Sequence, residues 1–329
     1  MSAKKTVLVV ADLKLVNLGD ELIFNCLSQK LLGEGFEKVV KPSHKNIAGE
    51  QVEHFYFLNI FKMLLFLKQA ELVIFGGGGI LQNNKNLSNL SFFSIFAILA
   101  FIFRVPIEVR SVGVTPINSV LAQFLVRAIC FRARYISVRD EGSKQNLYDV
   151  IASTKIVIEK DIALSYKANF NNVSQELHKL KSQRYVFVSL RPLLKKRSGI
   201  SDEDFQKHFA ECLRKLCTEK NYIPVMVALH SEKDIEYITD FVQRYQFDEA
   251  IVIDCPSPDD ICFLLKHSQF AFCMRLHAAI LAHVQETNFS ALSYSQKIDN
   301  FMRSENISSR CFKVKNVASL YDDIQLFIE

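Results

Sequence analysis

Short runs of β-branched and aromatic residues recur along the chain, each followed by a helix-length amphipathic segment. In the first half these runs are residues 6–12 (TVLVVAD), 71–77 (ELVIFGG), 107–113 (IEVRSVG), 135–140 (YISVRD) and 155–160 (KIVIEK). In the second half they are 185–191 (YVFVSLR), 222–229 (YIPVMVAL), 250–255 (AIVIDC), 270–275 (FAFCMR) and 289–294 (FSALSY). Such runs suit strands buried on both faces, which means parallel sheets with right-handed helical crossovers. Each half therefore reads as a doubly wound α/β unit, a Rossmann-like domain. The polar stretch from Lys167 to Gln183 is the expected linker, separating residues 1–170 from 171–329. Two such domains facing each other would place a central cleft at the carboxyl ends of both sheets, where ligands bind in this class.

Composition narrows the field only a little. A chain of 329 residues is about two domains at roughly 150 each. With 49% hydrophobic and 23% charged residues it can bury a core, which excludes a disordered protein. The eight cysteines form no C-x-x-C pair and sit in apolar runs such as Phe272-Cys273-Met274, so buried free thiols are expected and not a disulfide framework. No metal-ligand cluster stands out. The first residues, MSAKKTVLVVAD, enter a strand-like run without a signal-peptide core, so a cytoplasmic location is expected.

Charge and one apolar segment add a membrane question. Residues 1–170 hold 20 Lys/Arg against 14 Asp/Glu, or +6, and residues 171–329 hold 20 against 21, or −1. The excess is densest at Arg127, Arg132, Arg134 and Arg139, read either as a solvated face or as a surface for anionic lipid or a phosphorylated acceptor. The balance lacks the concentrated basic stripe of a nucleic-acid binder. Residues 86–103 carry no charge, and five phenylalanines (92, 93, 96, 101, 103) fall among them. A spanning helix needs about 20 apolar residues, and Asn86, Ser88, Asn89, Ser91 and Ser94 shorten this one, so a buried or interfacial helix is expected.

Four motifs follow expected strands, on the edge a ligand would use. Asn17-Leu18-Gly19-Asp20-Glu21 opens a helix, and capping by Asn17 with acids in the first turn accounts for it. Gly76-Gly77-Gly78-Gly79-Ile80-Leu81 permits a sharp turn or close backbone approach to a ligand oxygen. It matches neither a Walker A loop nor a dinucleotide fingerprint. Ser137-Val138-Arg139-Asp140 offers an ion pair or part of a ligand site, and the two readings stand level. Arg275-Leu276-His277-Ala278 is the most informative. It puts an arginine fork and a titratable imidazole where a strand gives way to a helix N-terminus, a favourable place for an anion. Arg191, ending the 185–190 run, is a second anion clamp, and His230 with Asp234 is the other histidine in a partnered pattern.

Taken in order, these pieces resemble the polysaccharide pyruvyl transferase family. The matching segments are Asn17 to Glu21, the glycine run, Ser137 to Asp140, Leu229-His230 through Asp234, Arg275 to Ala278, and Leu292-Ser293-Tyr294 with Lys297. The resemblance implies a GT-B-like fold and transfer of pyruvyl from phosphoenolpyruvate, as co-substrate with no cofactor, to two hydroxyls of a sugar as a ketal. It implies His277 as the catalytic histidine; the chemistry then needs a general acid, for which His277 is the candidate, and a base for the hydroxyl, for which Asp20 or Glu21 is the candidate. Arg191, Arg275, Leu276, Gly77, Gly78, Arg139, Asp140, His230, Tyr294 and Lys297 are then the expected substrate contacts. The first domain would take the acceptor, a sugar or lipid-linked oligosaccharide, with a peripheral contact at the inner membrane face. The second would take the donor.

Three loops depart from the family pattern: Gly113-Val114-Thr115-Pro116-Ile117, Glu286-Thr287-Asn288, and Leu13-Lys14-Leu15-Val16. Two other readings stay open: a GT-B glycosyltransferase using a nucleotide sugar, and a non-catalytic subunit of an envelope assembly.

Overall fold

A computed structural model describes residues 5–13, 17–82, 87–153, 155–193, 198–230 and 232–327. Lys14, Leu15, Val16, Asn86 and Ser231 of the segments above lie outside them. The chain divides into two units, the first running from its opening strand to Ser165 and the second from Tyr166 onward, with Asn17, Leu18 and Gly19 belonging to the second.

Unit 1 runs β1 (Thr6–Val10), α1 (Leu18–Gly33), β2 (Lys38–Ser43), β3 (Val52–Tyr56), α2 (Ile60–Gln69), β4 (Ala70–Gly76), α3 (Ser88–Ile102), β5 (Ile107–Val112), α4 (Val120–Cys130), β6 (Ala133–Val138), α5 (Glu141–Ile151) and β7 (Ile156–Ile158). Its sheet has the order β3-β2-β1-β4-β5-β6-β7, and its pairings are parallel. All five residues of β1 are buried, because helices cover both faces. Phe24, Leu27 and Leu31 of α1 pack on one face with Val7, Val9 and Ile74. Phe66 of α2, Phe93 and Phe96 of α3, Val126 of α4 and Leu147 of α5 cover the other, against Leu8, Val10 and Phe75.

Unit 2 runs β8 (Tyr185–Ser189), α6 (Asp202–Lys220), β9 (Ile223–Ala228), α7 (Lys233–Arg244), β10 (Ile251–Asp254), α8 (Pro258–His267), β11 (Phe270–Cys273), α9 (Leu276–Val284), β12 (Phe289–Ser293), α10 (Gln296–Ser304), β13 (Cys311–Lys313) and α11 (Leu320–Ile324). The sheet order is β10-β9-β8-β11-β12-β13, again parallel. The helix starts are written in the sequence. Ser201 accepts from the Asp204 N–H at the head of α6, and Ser257 with Asp260 makes a reciprocal capping box at α8.

Three strands go beyond the sequence expectation. β2 reads KVVKPS and β3 reads VEHFY, so charged residues and a proline mask their pattern. Tertiary pairing stabilises them, including the Lys38–Glu53 ion pair at 2.5 Å. The third, β13, has only three residues and takes its register from β12. The stretch from Lys167 to Gln183 is more than a connector. It coils into 3₁₀ turns whose Asn169 and Ser174 N–H groups donate to Asp259 and Asp260 of α8, both at 2.8 Å. The Phe-rich segment forms α3, and among the described residues no helix is long and apolar enough to cross a membrane. All eight cysteines are free, and burial pushes the Cys130 thiol up to about 12.

Candidate active site

In unit 2 the polar residues singled out by sequence leave the carboxyl ends of four neighbouring strands. Arg191 follows β8, His230 follows β9, Arg275 and His277 follow β11, and Tyr294 and Lys297 follow β12. A doubly wound sheet collects ligand-binding residues at this edge because each strand ends there in a loop free to vary.

Arg275 stands directly before the first turn of α9, whose second residue is His277. Its fork is engaged. Nε donates to Asp234 Oδ2 at 2.8 Å, and Nη2 donates to Asp234 Oδ1. Asp234 lies in the first turn of α7 with its side chain fully buried. A bidentate pair of this kind is held by geometry as much as by charge. The pair engages two of the three nitrogens of the fork, so Arg275 is less of an open anion clamp than its sequence position suggests. His230 stands beside this pair and accepts from the Glu232 N–H at Nδ1, 3.4 Å away. Burial, with the positive charge of Arg275, lowers its pKa.

Arg191 has more left to give. Its Nη1 donates to Tyr294 Oη at 2.6 Å, and the guanidinium carbon lies 4.8 Å from the Tyr294 ring centroid. Its Nε is buried and has no hydrogen-bond partner among the described residues. A buried donor of this type costs free energy unless a ligand satisfies it.

The opening motif joins this group. The Leu18 N–H donates to the Leu229 carbonyl at 3.1 Å, and Asn17 forms an isolated antiparallel bridge with His230. The Gly19 N–H also reaches Asn17 Oδ1 at 3.4 Å, a long contact of the capping type. The role of Gly19 is clearer than capping. A methyl group there would stand 1.9 Å from Nδ1 of His277 and 2.3 Å from its Cε1, so the imidazole lies flat against the bare glycine. Segments 17–19, 229–234 and 275–277, far apart in sequence, thus form one constellation.

The same edge of unit 1 is built differently. Gly77 and Gly78 have φ of +87° and +68°, and added side chains would strike Ile23 and the Asp20 carboxylate of α1. The glycine run is a close-packing surface for α1. Arg139 is 7% exposed and is held by Asp140 at 3.4 Å and Asp161 at 3.6 Å. Asp140 in turn caps α5 by accepting from the Ser143 N–H at 2.8 Å. Gly113 is needed beside them, because a Cβ would meet the Arg139 guanidinium at 2.8 Å. Of the two level readings, the ion pair is the one this geometry displays.

One residue of unit 1 had no sequence signal beyond a lysine in an apolar strand. Lys41 of β2 is 1% exposed, its ammonium 4.6 Å from the Phe24 ring centroid. Burial lowers its pKa, while Asp20, Asp12 and Glu21 pull it back up. It is the cation that faces the acids at the start of α1. Among the described residues no group of three His, Cys, Asp or Glu is arranged to hold a metal ion.

A model of the polysaccharide pyruvyl transferase family matches residues 17–296. No curated protein sequence matches the chain. Among solved structures, the UDP-GlcNAc 2-epimerase of Methanocaldococcus jannaschii, in complex with UDP-GlcNAc and UDP, superposes with a TM-score of 0.60 at 11% identity, over 99% of this chain and 93% of that one. The UDP-GlcNAc 2-epimerase of Neisseria meningitidis, bound to UDP-GlcNAc, gives 0.57 at 12%, over 98% and 92%. A UDP-forming α,α-trehalose-phosphate synthase of Burkholderia xenovorans gives 0.58 at 11%, over 98% and 91%. At these identities the likeness establishes the fold, which is GT-B-like.

Proposed function

The chain belongs to the polysaccharide pyruvyl transferase family, and from that premise we propose that it moves a pyruvyl group from phosphoenolpyruvate to two hydroxyls of a sugar. The acceptor belongs to a cell-surface polysaccharide, such as an exopolysaccharide, or to its lipid-linked precursor. The donor is a co-substrate, and no resident cofactor is assigned. The observation that carries the reading is the convergence of Arg191, Arg275, His277 and Tyr294 at one sheet edge of unit 2, with His277 seated on Gly19.

Phosphoenolpyruvate brings a phosphate and a carboxylate. Arg191, whose buried Nε has no partner among the described residues, suits one anion, and the remainder of the Arg275 fork beside the α9 N-terminus suits the other. Lys297, in the first turn of α10, adds positive charge after the neighbouring strand β12. In its protonated form, His277 delivers a proton to the methylene carbon, which becomes a methyl group and leaves an oxocarbenium centre. A sugar hydroxyl attacks that centre, phosphate departs, and the second hydroxyl closes the ketal. The proton of the closing hydroxyl restores His277, and that of the attacking hydroxyl, held first by the base, leaves with phosphate. Asp20 or Glu21, which directly follow Gly19 in the chain, receives the proton of the attacking hydroxyl. General acid–base assistance of this kind is worth about 10²–10⁴-fold.

The solved structures of similar fold act on UDP-sugars, which favours a second reading, a GT-B enzyme that uses a nucleotide sugar. Incubating the protein with phosphoenolpyruvate and a panel of lipid-linked oligosaccharides separates the two. Phosphate release with a new ketal methyl signal supports pyruvyl transfer. Absence of both, with turnover of a UDP-sugar, replaces it by the second reading.

A further inference from the structure

The outer faces of α2, α3 and α4 are unusually apolar for exposed helices. Ile60, Phe61 and Leu65 of α2, Ile95, Ile98, Phe101 and Ile102 of α3, and Val120, Leu121 and Phe124 of α4 all stand exposed, Phe61 at 88% and Phe124 at 64%. The three helices lie on one face of the sheet and form one surface. Phe57, before α2, meets Phe92 of α3 at 5.7 Å between ring centroids, and Ser94 of α3 donates to the Leu125 carbonyl of α4 at 3.2 Å. Exposed apolar areas of this extent mark interaction sites.

The charge on these helices and their ends is basic, with Glu53, Glu71 and Glu108 only at the margins. Residues 57–70, 87–106 and 115–134 hold Lys62, Lys68, Arg104, Arg127, Arg132 and Arg134 and not one Asp or Glu. Lys62 and Arg134 reach Glu53 and Glu108 of neighbouring strands, whereas Lys68, Arg104, Arg127 and Arg132 stand exposed.

Two of the arginines are placed in a repeated way. Both α3 and α4 end in Phe-Arg, Phe103-Arg104 and Phe131-Arg132, and both arginines have left-handed backbones, with φ of +59° and +61°. Glycine or asparagine ordinarily fills that position after a helix. Together with Phe101, Ile102, Phe131 and the start of β5, the two arginines line a groove of about 660 Å³. The groove therefore combines two cationic forks with apolar walls.

We propose that the α2–α4 face docks on a bilayer surface rich in anionic phospholipid, with Arg104 and Arg132 on headgroup phosphates and the exposed phenylalanines and isoleucines among the upper acyl carbons. The charge pattern selects this occupant over a second copy of the chain. In a two-fold contact the same basic surface would face itself, with acids only at its margins (Glu53, Glu71 and Glu108) to pair with it. At about 1.5 Å per residue, the fifteen-residue α3 is roughly 22 Å long, short of the roughly 30 Å hydrocarbon core, so the helix lies along the interface. The inference goes beyond pyruvyl transfer and stands without it, although a lipid-linked acceptor would be met at the same surface.

The test is co-sedimentation of the full chain with vesicles of phosphatidylcholine alone, and of phosphatidylcholine with an equal part of phosphatidylglycerol. Binding is expected to the anionic vesicles only, and to weaken as salt is raised. Arg104→Gln with Arg132→Gln should weaken it by about tenfold or more, at roughly fivefold per removed charge. Phe61→Ser with Phe124→Ser should abolish it, and these exposed substitutions should leave the melting temperature and transfer to a water-soluble acceptor unchanged. No difference between the vesicles, or binding that neither pair of substitutions alters, would overturn the proposal. So would a concentration-dependent dimer lost in the Phe61→Ser, Phe124→Ser variant without vesicle binding, which would reassign the face to a second copy.

Discussion

The carboxyl edges of the two sheets make an instructive pair. Both end parallel strands in loops that carry arginine, acid and glycine. In unit 1 those residues are spent on packing, with Gly77 and Gly78 against α1 and Arg139 between two aspartates. In unit 2 the same chemistry stays partly open, with Arg191 keeping a buried donor unused and His277 resting on a glycine. Motif composition is alike at the two edges. What separates the two edges is Arg191, whose buried Nε has no partner among the described residues, whereas the forks of Arg139 and Arg275 already hold carboxylates.

That contrast can be broken by substitution, starting with the largest effect. His277→Gln should lower kcat for pyruvyl transfer by about 10²–10⁴-fold and leave the melting temperature nearly unchanged. A variant with full turnover would remove His277 from the chemistry. Arg139→Met should do the opposite. Stripping two half-buried aspartates of their cation should cost about 2–3 kcal/mol in denaturant unfolding, below the full cost of breaking a buried pair, with kcat of the folded fraction retained. A selective rise in KM for the acceptor would return Arg139 to the substrate. Gly19→Ala should come next, because a methyl group 1.9 Å from Nδ1 must displace the imidazole. A shift on the order of 1 Å can cost about 10²-fold, so stopped-flow phosphate release should slow by that order.

The smallest effect concerns acid. Burial, with Lys41 close by, lowers the His54 pKa from 6.5 to about 4. The native state therefore holds fewer protons than the unfolded chain between those values. Stability is highest above pH 6.5, declines as pH falls, and loses the whole contribution by about pH 4. At 1.36 kcal/mol per unit, reduced for partial exposure, the loss is about 2–3 kcal/mol. In His54→Phe this part of the acid limb should flatten in urea titrations between pH 4 and pH 7, and an unchanged limb would put the acid sensitivity elsewhere.

Much of the fold was legible because parallel strands buried on both faces must be nearly continuously apolar, as β1, β8 and β11 are and as β4 is after Glu71. β2 escaped because Lys41 and Pro42 interrupt it, and what holds Lys41 inside, the Phe24 ring and nearby carboxylates, comes from elements distant in sequence. In the site, Arg191, Arg275 and His277 were legible from their place after strands. The Asp234–Arg275 fork was not, since nothing local says that an acid in the first turn of α7 is fully buried. Nor was the use of Gly19. Read alone it belongs to a helix start, and only the folded chain brings His277 onto it.

The central claim is that the unit 2 edge is a phosphoenolpyruvate site with Arg191 as its open clamp. Titration calorimetry with phosphoenolpyruvate and with UDP, on the wild type and on Arg191→Met, tests it most directly. The account expects phosphoenolpyruvate to bind the wild type, to bind Arg191→Met at least about tenfold more weakly, and to resist displacement by UDP. Binding of UDP that displaces phosphoenolpyruvate, or phosphoenolpyruvate binding untouched by Arg191→Met, would contradict it.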